Sequence, residues 1–152
     1  MAKKNEPLVH NGIPDFTIGK GLVVKKGSDI CFLNSGSLLP FALNAAQILE
    51  KEDNISVHVV SMHTVKPLDE NLLEEVFSDF SHIFSIEEHS VLGGFGGSIA
   101  EWLSEKKEPM AKLKRIGTGD YFKYNAGEKE YAQEFFGITP EHIVNKVRNF
   151  ID

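Results

Sequence analysis

Three short segments of the chain carry the residues that could do chemistry, and each follows an apolar run and precedes a helical pattern. They are residues 34–37, 62–67 and 87–97. Ligand sites in open α/β sheets gather outside the carboxyl ends of the parallel strands, so we expect the three segments to meet at one rim. As anion-binding or interface positions there, the sequence nominates Ser35, Gly36, Ser37, His63, Lys66, Glu88, His89, Gly94, Gly96 and Gly97.

The glycine-rich run Gly93-Gly94-Phe95-Gly96-Gly97 is the most conspicuous motif. Glycines at the start of a helix allow backbone amides to approach an anion. The run does not match a P-loop, which requires Gly-Lys-Ser/Thr where this chain has Gly97-Ser98-Ile99. Ile99 also occupies the third glycine position of the dinucleotide-binding fingerprint. Two interpretations stay open, a bound anion and a tight turn that lets a helix pack closely on the sheet.

Glu87, Glu88 and His89 are adjacent in the sequence. Paired carboxylates can act as acid and base, and a carboxylate with a histidine can bind a metal. Consecutive residues near a strand end point in alternate directions, so these three are not expected to converge. No His or Cys spacing supplies the further ligands of a metal site, and no nucleophile–base–acid set is recognisable. The sequence predicts no metal site and no catalytic residue, and favours a structural or interfacial hydrogen-bonding role for this trio.

Two other candidates, His63 and Lys66, lie in the middle segment and could face an anionic ligand. The alternative is a solvated lysine and a histidine that bonds a neighbouring backbone group. Cys31 lies in the apolar run Ile30–Leu33, and a single cysteine excludes an intrachain disulfide. We interpret Cys31 as a buried structural thiol.

Composition narrows the classes of protein and partner. The chain has 152 residues, 41% hydrophobic and 25% charged, which is typical of one soluble globular domain. A net charge of −6 argues against nucleic acid as a partner, and the basic run Lys112–Arg115 alternates with apolar residues as an edge strand does. No apolar stretch reaches the ~20 residues of a membrane helix, and no secretory signal opens the chain. We therefore expect a cytoplasmic protein that does not contact a membrane.

Strand and helix patterns alternate after a polar lead-in over residues 1–15. Gly27-Ser28 resembles a hairpin turn, which would leave one strand antiparallel. Asp69 is a natural N-cap, and Gly137 a natural helix stop. The alternation predicts a mostly parallel α/β sheet with helices on both faces, although the strand order is not fixed by the pattern. Strands are expected at 21–26, 29–34, 55–61, 82–86 and 112–116, and helices at 37–51, from 69, at 97–105, at 128–136 and from 139 to 151.

The motifs together resemble a known family, the C-terminal domains of thiamine-diphosphate-dependent transketolases. The most specific piece is Met62-His63-Thr64-Val65-Lys66-Pro67-Leu68-Asp69, followed by Glu87-Glu88-His89-Ser90-Val91-Leu92-Gly93-Gly94-Phe95-Gly96. The entry at Phe16–Gly21, the segment Asn34-Ser35-Gly36 and the tail Phe136–Ile143 are also similar. The resemblance runs over residues 16–152, and it is strongest for the C-terminal section of bacterial split transketolases.

This resemblance implies a three-layer α/β/α domain with a five-stranded mixed, mostly parallel sheet. It implies that thiamine diphosphate and Mg²⁺ are bound by an N-terminal domain and a pyrimidine-binding domain that this chain does not contain. Such domains or subunits would be its partners, together with a second copy in a homodimer. Gly119-Asp120 begins like the Gly-Asp-Gly cofactor motif, but Tyr121 stands where its second glycine belongs. The resemblance therefore assigns this chain no catalytic or cofactor-binding residue.

Other assignments stay open at this point. Deoxyxylulose-phosphate synthases and the β subunits of 2-oxoacid dehydrogenase E1 components end in related domains. A split transketolase section would also include the pyrimidine-binding domain before Phe16, so we expect an excised domain or an unusual stand-alone one. A stand-alone module that binds a small anion or a regulatory metabolite, and a pure dimerisation domain, are the alternatives.

Overall fold

The computed structural model describes residues 9, 12, 14–108, 110–122, 124 and 127–151. Within them the strands are β1 (Leu22–Lys25), β2 (Ile30–Asn34), β3 (Val57–Ser61), β4 (His82–Ser90) and β5 (Lys112–Thr118). The helices are α1 (Leu39–Asp53), α2 (Glu70–Asp79), α3 (Phe95–Ser104), α4 (Lys129–Phe135) and α5 (Pro140–Ile151), and a 3₁₀ turn (Gly36–Leu38) precedes α1. The sheet order is β1-β3-β2-β4-β5, with only β1 antiparallel to its neighbour. The mixed, mostly parallel five-stranded sheet is confirmed.

The first two strands are not the hairpin that the sequence suggests. β1 pairs antiparallel with β3, with Val23 opposite Val60. Every residue of β2 is buried, and β2 therefore lies between β3 and β4, whereas the partly exposed β1 takes an edge. The chain between β1 and β2 crosses the start of β3, where a Cβ at Gly27 would collide with the Val57 backbone. Gly27 thus allows the backbone to pass close to the start of β3, and it is not part of a hairpin turn.

Helices cover both faces of the sheet, as predicted. α1 and α5 pack on one face, over Phe32 and Phe84 among others. α2 and α3 pack on the other face, over Leu33 and Ile83 among others. Because side chains alternate along a strand, neighbouring residues of β2 and β4 supply the two separate cores.

The helix ends follow local signals in some places only. Asp69 caps α2, since its side chain accepts a hydrogen bond from the Leu72 amide, and Gly137 follows α4 with φ at 63°. Ser37 does not cap α1, because the 3₁₀ turn displaces the start of the helix to Leu39. The Ser37 hydroxyl is buried instead, with no hydrogen-bond partner among the described residues.

β4 and α3 are both longer than the pattern predicts. β4 continues past Ile86 to Ser90, and α3 begins at Phe95 instead of about Gly97. β5 is the edge strand that its alternating pattern predicts. None of the described helices combines the length and the apolar composition needed to cross a membrane.

Candidate functional site

The three nominated segments adjoin one another at the carboxyl edge of the sheet, as the sequence predicts. The Met62 amide donates to the Asn34 carbonyl at 2.7 Å. The Ser35 amide and the Asn34 side-chain amide both donate to the Ile86 carbonyl, at 3.0 and 3.2 Å. The ends of β2, β3 and β4 therefore hold the three segments side by side.

Glu87 is the centre of this rim, and the sequence did not single out its role. Between the pairs Ile86↔Ile116 and Ser90↔Thr118, β4 uses three residues where β5 uses one, so the strand bulges at 87–89. The carboxylate of Glu87 is 1% exposed and accepts the Phe95 amide at 2.7 Å and the Gly96 amide at 2.8 Å. These amides belong to the first turn of α3, where the helix dipole favours negative charge. Glu87 is thus the anion at this helix N-terminus.

The glycines around Glu87 are required by close packing. A Cβ at Gly94 would collide with the Glu87 carboxylate, and a Cβ at Gly96 would collide with the Ser85 hydroxyl. A Cβ at Gly117, opposite the bulge, would lie 2.6 Å from the His89 carbonyl oxygen. Gly97 is different, since its nearest neighbour outside the helix backbone would lie at 3.8 Å. This geometry supports the tight-turn interpretation, because an external anion at these two amides would have to displace Glu87.

Arg115 of β5 fixes the glycine-rich loop from the side. Its Nη1 donates to the Val91 carbonyl at 2.7 Å, and the Val91 amide donates to the Thr118 carbonyl at 3.0 Å. Val91 is therefore hydrogen-bonded through both of its backbone groups to β5. The glycine-rich loop is therefore held in place at its first residue by hydrogen bonds to β5.

Glu88 and His89 face away from Glu87. Glu88 lies 3.4 Å from the Lys129 ammonium and accepts the Gln133 side-chain amide at 3.5 Å, and both of these residues belong to α4. His89 is exposed. The two adjacent carboxylates thus have partners on different helices, and they do not form an acid–base pair.

Asp69 organises the middle segment in the way that Glu87 organises the third. Besides the Leu72 amide at 3.4 Å, it accepts the Gly21 amide at 3.0 Å and the Lys20 ammonium at 3.1 Å. Burial alone would raise the pKa of Asp69, but the hydrogen bonds from Gly21 and Lys20 outweigh it and hold the pKa below its usual value. Lys20 and Gly21, which directly precede β1, are thereby bound to the start of α2, a link that the sequence pattern does not indicate.

The remaining nominated residues are not gathered around one point. His63 bonds the Thr64 hydroxyl at 3.0 Å and stacks on Phe16 with ring centroids 4.1 Å apart, while Lys66 is exposed. Gly36 is exposed with φ at 78°, a left-handed conformation that glycine favours. Ser35 contributes its backbone amide to the sheet edge.

The described residues bear on two possible chemistries, a metal site and a reactive cysteine. They contain no group of three or more His, Cys, Asp and Glu side chains that could hold a metal ion. Cys31 is fully buried in β2, and burial raises the pKa of its thiol, so it stays protonated and unreactive at neutral pH. The prediction of a structural thiol is confirmed.

The sequence matches the family model described as "Transketolase, C-terminal domain" over residues 19–143. A "Putative transketolase C-terminal section" from Methanocaldococcus jannaschii is 36% identical over 132 residues, which are 87% of this chain and 40% of that protein. A 1-deoxy-D-xylulose-5-phosphate synthase from a Geobacillus species is 36% identical over 134 residues, which are 88% of this chain and 21% of that enzyme. This chain thus spans less than half of the relatives that it matches.

Solved structures share the fold over most of this chain. A "Split gene transketolase, inactive beta4 tetramer" superposes with a TM-score of 0.82 at 34% identity, over 94% of this chain and 46% of that chain. A transketolase from Pichia stipitis superposes with a TM-score of 0.62 at 22% identity, which shows the fold alone. The family match covers most of the chain and the fold agrees with it, so this chain belongs to the transketolase C-terminal domain family.

Proposed function

We propose that this chain is the non-catalytic C-terminal part of a thiamine-diphosphate-dependent transketolase-type enzyme that transfers two-carbon ketol units between sugar phosphates. In this proposal it acts in the cytoplasm, packs against the cofactor-binding domains and forms a homodimer. The family membership supports the proposal, as does the fraction of the transketolase relatives that the chain spans, 40% and 46%. Catalysis then belongs to the remaining domains.

The observation that carries the proposal is that the Glu87 carboxylate accepts the amides at the N-terminus of α3. The carboxyl rim is where an α/β sheet ordinarily binds its ligand. Here the two amides of α3 at that rim hold an internal carboxylate, and the carboxylate of Asp69 holds the start of α2 and the lead-in to β1. Buried polar groups satisfied in this way stabilise the domain, and the carboxylates of Glu87 and Asp69 are taken up by contacts within the chain.

The described residues do not fit a site for the cofactor itself. A diphosphate at the N-terminus of α3 would have to displace the Glu87 carboxylate from the Phe95 and Gly96 amides, and the two negative groups would repel each other there. We therefore assign the binding of thiamine diphosphate and Mg²⁺ to the domains that the relatives carry beyond the matched region.

Reconstitution tests the proposal. The chain would be mixed with a separately purified polypeptide of the same organism that carries the thiamine-diphosphate-binding domains. We expect two-carbon ketol transfer in the mixture and none from the isolated chain, measured by the conversion of a ketose phosphate donor. Full activity of the cofactor-binding polypeptide without the chain would contradict the proposed supporting role.

A second candidate is the C-terminal domain of a 1-deoxy-D-xylulose-5-phosphate synthase. One specific observation favours it, since the Geobacillus synthase is as similar to this chain as the transketolase section, at 36% identity. The same reconstitution separates the two candidates. Formation of 1-deoxy-D-xylulose 5-phosphate by the mixture, without ketol transfer between sugar phosphates, would favour the synthase.

A further inference from the structure

The outer edge of β5 is a margin of the sheet beyond which no described strand follows. β5 pairs with β4 alone, at the end of the order β1-β3-β2-β4-β5. The Lys112 amide donates to the Ser81 carbonyl at 2.9 Å, on the β4 side. Because backbone groups alternate along a strand, the amides and carbonyls of Leu113 and Arg115 face away from β4. Such a row of groups without a strand partner is a template for pairing with another chain.

A groove of about 670 Å³ runs along this edge. Its walls come from both faces of the sheet, with Ala100 and Leu103 of α3 on one side and Phe150 of α5 on the other. Helices on opposite faces line one groove only beyond a margin of the sheet, and Leu113 and Arg115 of β5 line it as well. Leu103, Leu113 and Phe150 are each only partly buried. The groove therefore offers apolar surface beside the unpaired backbone groups.

The charges at this groove are positive, although the whole chain carries a net charge of −6. The charged residues that line it are Lys112 and Arg115. Lys114 adds a third cation on the α5 side, where its ammonium lies 5.5 Å from the centre of the Phe150 ring. Among the described residues no carboxylate forms an ion pair with Lys112 or Lys114. The exposed acidic residues of α3 itself, Glu101 and Glu105, do not line the groove.

The neighbouring helix adds to this excess of positive charge. Burial lowers the pKa of Lys146 on α5, and the charge of Lys114 lowers it further, so the two ammonium groups lie close enough to repel each other. The opposite edge of the sheet differs, because Lys25 of β1 is ion-paired with Glu50. An anionic group that enters the β5 groove would relieve the repulsion on the α5 side.

This positive charge distinguishes between the possible occupants of the edge. A second copy of β5 would bring lysine opposite lysine, and like charges opposite each other on neighbouring strands are destabilising. An acidic strand would bring carboxylates to the same positions. We propose that the outer edge of β5 binds an extended acidic segment of a partner protein, which pairs with β5 as a sixth strand. This inference goes beyond the proposed function and does not depend on it.

The pleat of β5 sets the pattern that the segment should have. Lys112 and Lys114 face the α5 side, and Leu113 packs with the core on the α3 side. Alternate residues of an added strand would therefore meet the lysines, where acidic side chains fit. The residues between them would meet Leu103 and Leu113, where apolar side chains fit. The expected ligand is thus a segment in which acidic and apolar residues alternate.

Fluorescence anisotropy with a labelled peptide, Gly-Glu-Val-Glu-Val-Glu-Gly, tests the inference on the full chain. We expect saturable binding with a dissociation constant below about 100 µM. Binding should weaken as salt is raised from about 0.05 to 0.5 M, because exposed charges are screened. The same peptide with lysine in place of glutamate should bind at least about tenfold more weakly. A glutamate peptide N-methylated at two consecutive central residues keeps its charges but loses donors on both of its edges, and it should also bind at least about tenfold more weakly.

Variants of the chain locate the site. Lys112→Glu/Lys114→Glu should weaken the binding of the glutamate peptide at least about tenfold, and Lys112→Gln/Lys114→Gln should weaken it less. The matched control, Lys26→Glu/Lys51→Glu, makes the same change of charge at two exposed lysines away from β5 and should bind nearly like the unchanged chain. Thermal unfolding should show that all variants are folded. In hydrogen exchange of the unchanged chain, the peptide should slow the outward amides at 113 and 115.

Several outcomes would overturn the inference. They are the absence of binding up to about 1 mM peptide, equal binding of the glutamate and lysine peptides, equal binding of the N-methylated peptide, and equal weakening by the control pair. A dimer of the chain that forms without peptide and excludes it would assign the edge to a second copy and would overturn the inference too. None of these measurements involves the cofactor or ketol transfer, so a failure here leaves the proposed function standing.

Discussion

Asp69 and Glu87 are two buried carboxylates that do the same task at neighbouring helices on one face of the sheet. Each accepts amides from the first turn of a helix, α2 for Asp69 and α3 for Glu87. Asp69 stands directly before its helix and shares its charge with Lys20. Glu87 reaches its helix from a bulge in β4 and accepts the backbone amides of Phe95 and Gly96.

The two carboxylates differ in how deeply their partner amides are buried, and this determines how much the stability of the fold depends on each side chain. If Asp69 is lost, the Gly21 and Leu72 amides are left in a part-buried position, where water can replace the carboxylate in part. If Glu87 is lost, the two amides that it accepted are left in a buried site with neither the carboxylate nor water as an acceptor. Both carboxylates link distant parts of the chain, but the amides that Glu87 accepts are buried and those that Asp69 accepts are part-buried, so we expect the fold to depend more on Glu87.

The largest effect is expected at Glu87. Glu87→Ala should lower the free energy of unfolding by about 3 kcal/mol or more, because it leaves two buried amides unsatisfied and removes packed atoms. Urea unfolding at pH 7 measures this. The matched control, Glu88→Ala, should cost less than about 1 kcal/mol, since Glu88 is partly exposed and its contacts with Lys129 at 3.4 Å and Gln133 at 3.5 Å are long. Equal effects at the two positions would refute the central role of Glu87.

A second expected effect concerns the glycines that admit Glu87. Gly96→Ala should destabilise the domain by about 2 kcal/mol, because its Cβ meets the Ser85 hydroxyl beneath α3. Gly97→Ala is the matched control on the next residue, where an added Cβ would lie in ordinary van der Waals contact, 3.8 Å from the Val91 carbonyl oxygen. It should be neutral or stabilise by up to about 1 kcal/mol, since alanine favours helices over glycine. Thermal unfolding of the pair distinguishes close packing from a general need for glycine in this loop.

A smaller effect is expected at Asp69, and it depends on pH. Because the folded protein holds the pKa of Asp69 below its usual value, its contribution is fully present above about pH 4, the unfolded pKa. It is lost as the pH falls through the lower pKa of the folded state. Urea midpoints between about pH 6 and 2.5 should therefore fall less steeply for Asp69→Asn than for the unchanged chain. Parallel curves would show that Asp69 does not contribute through its charge.

The smallest effect is expected at Lys20, whose ammonium forms an ion pair with Asp69. The side chain of Lys20 is 55% exposed, so Lys20→Met should cost only about 0.5 kcal/mol. The loss should shrink in high salt, because exposed ion pairs are screened. An effect as large as that of Asp69→Asn would show that the ion pair, and not the amide bonds, holds the lead-in.

The same pair shows how far the sequence predicts this molecule. The Asp69 cap, the Gly137 stop and the α/β class depend on residues close in the chain, and the pattern predicts them correctly. The Glu87 cap depends on the register shift between β4 and β5, which involves residues about thirty positions apart. One signal was present, since Gly94 and Gly96 are small where a buried carboxylate must approach, but glycines alone do not say what approaches.

The position of β1 was missed for a similar reason. Gly27-Ser28 is a plausible turn locally, and only the complete burial of β2 places that strand in the centre of the sheet. The nominated rim was found because strand ends meet in any parallel sheet. The sequence does not predict that an internal carboxylate occupies this rim, because the choice between an internal and an external anion depends on tertiary contacts of Glu87.

The rim holds its own carboxylate, and under the proposed function this domain supports catalysis performed elsewhere. Calorimetric titration of thiamine diphosphate into the isolated chain, with Mg²⁺ present, tests it most directly. We expect no saturable heat up to millimolar concentrations of the cofactor, because the α3 amides are occupied by Glu87. Saturable binding with a micromolar dissociation constant would contradict the claim.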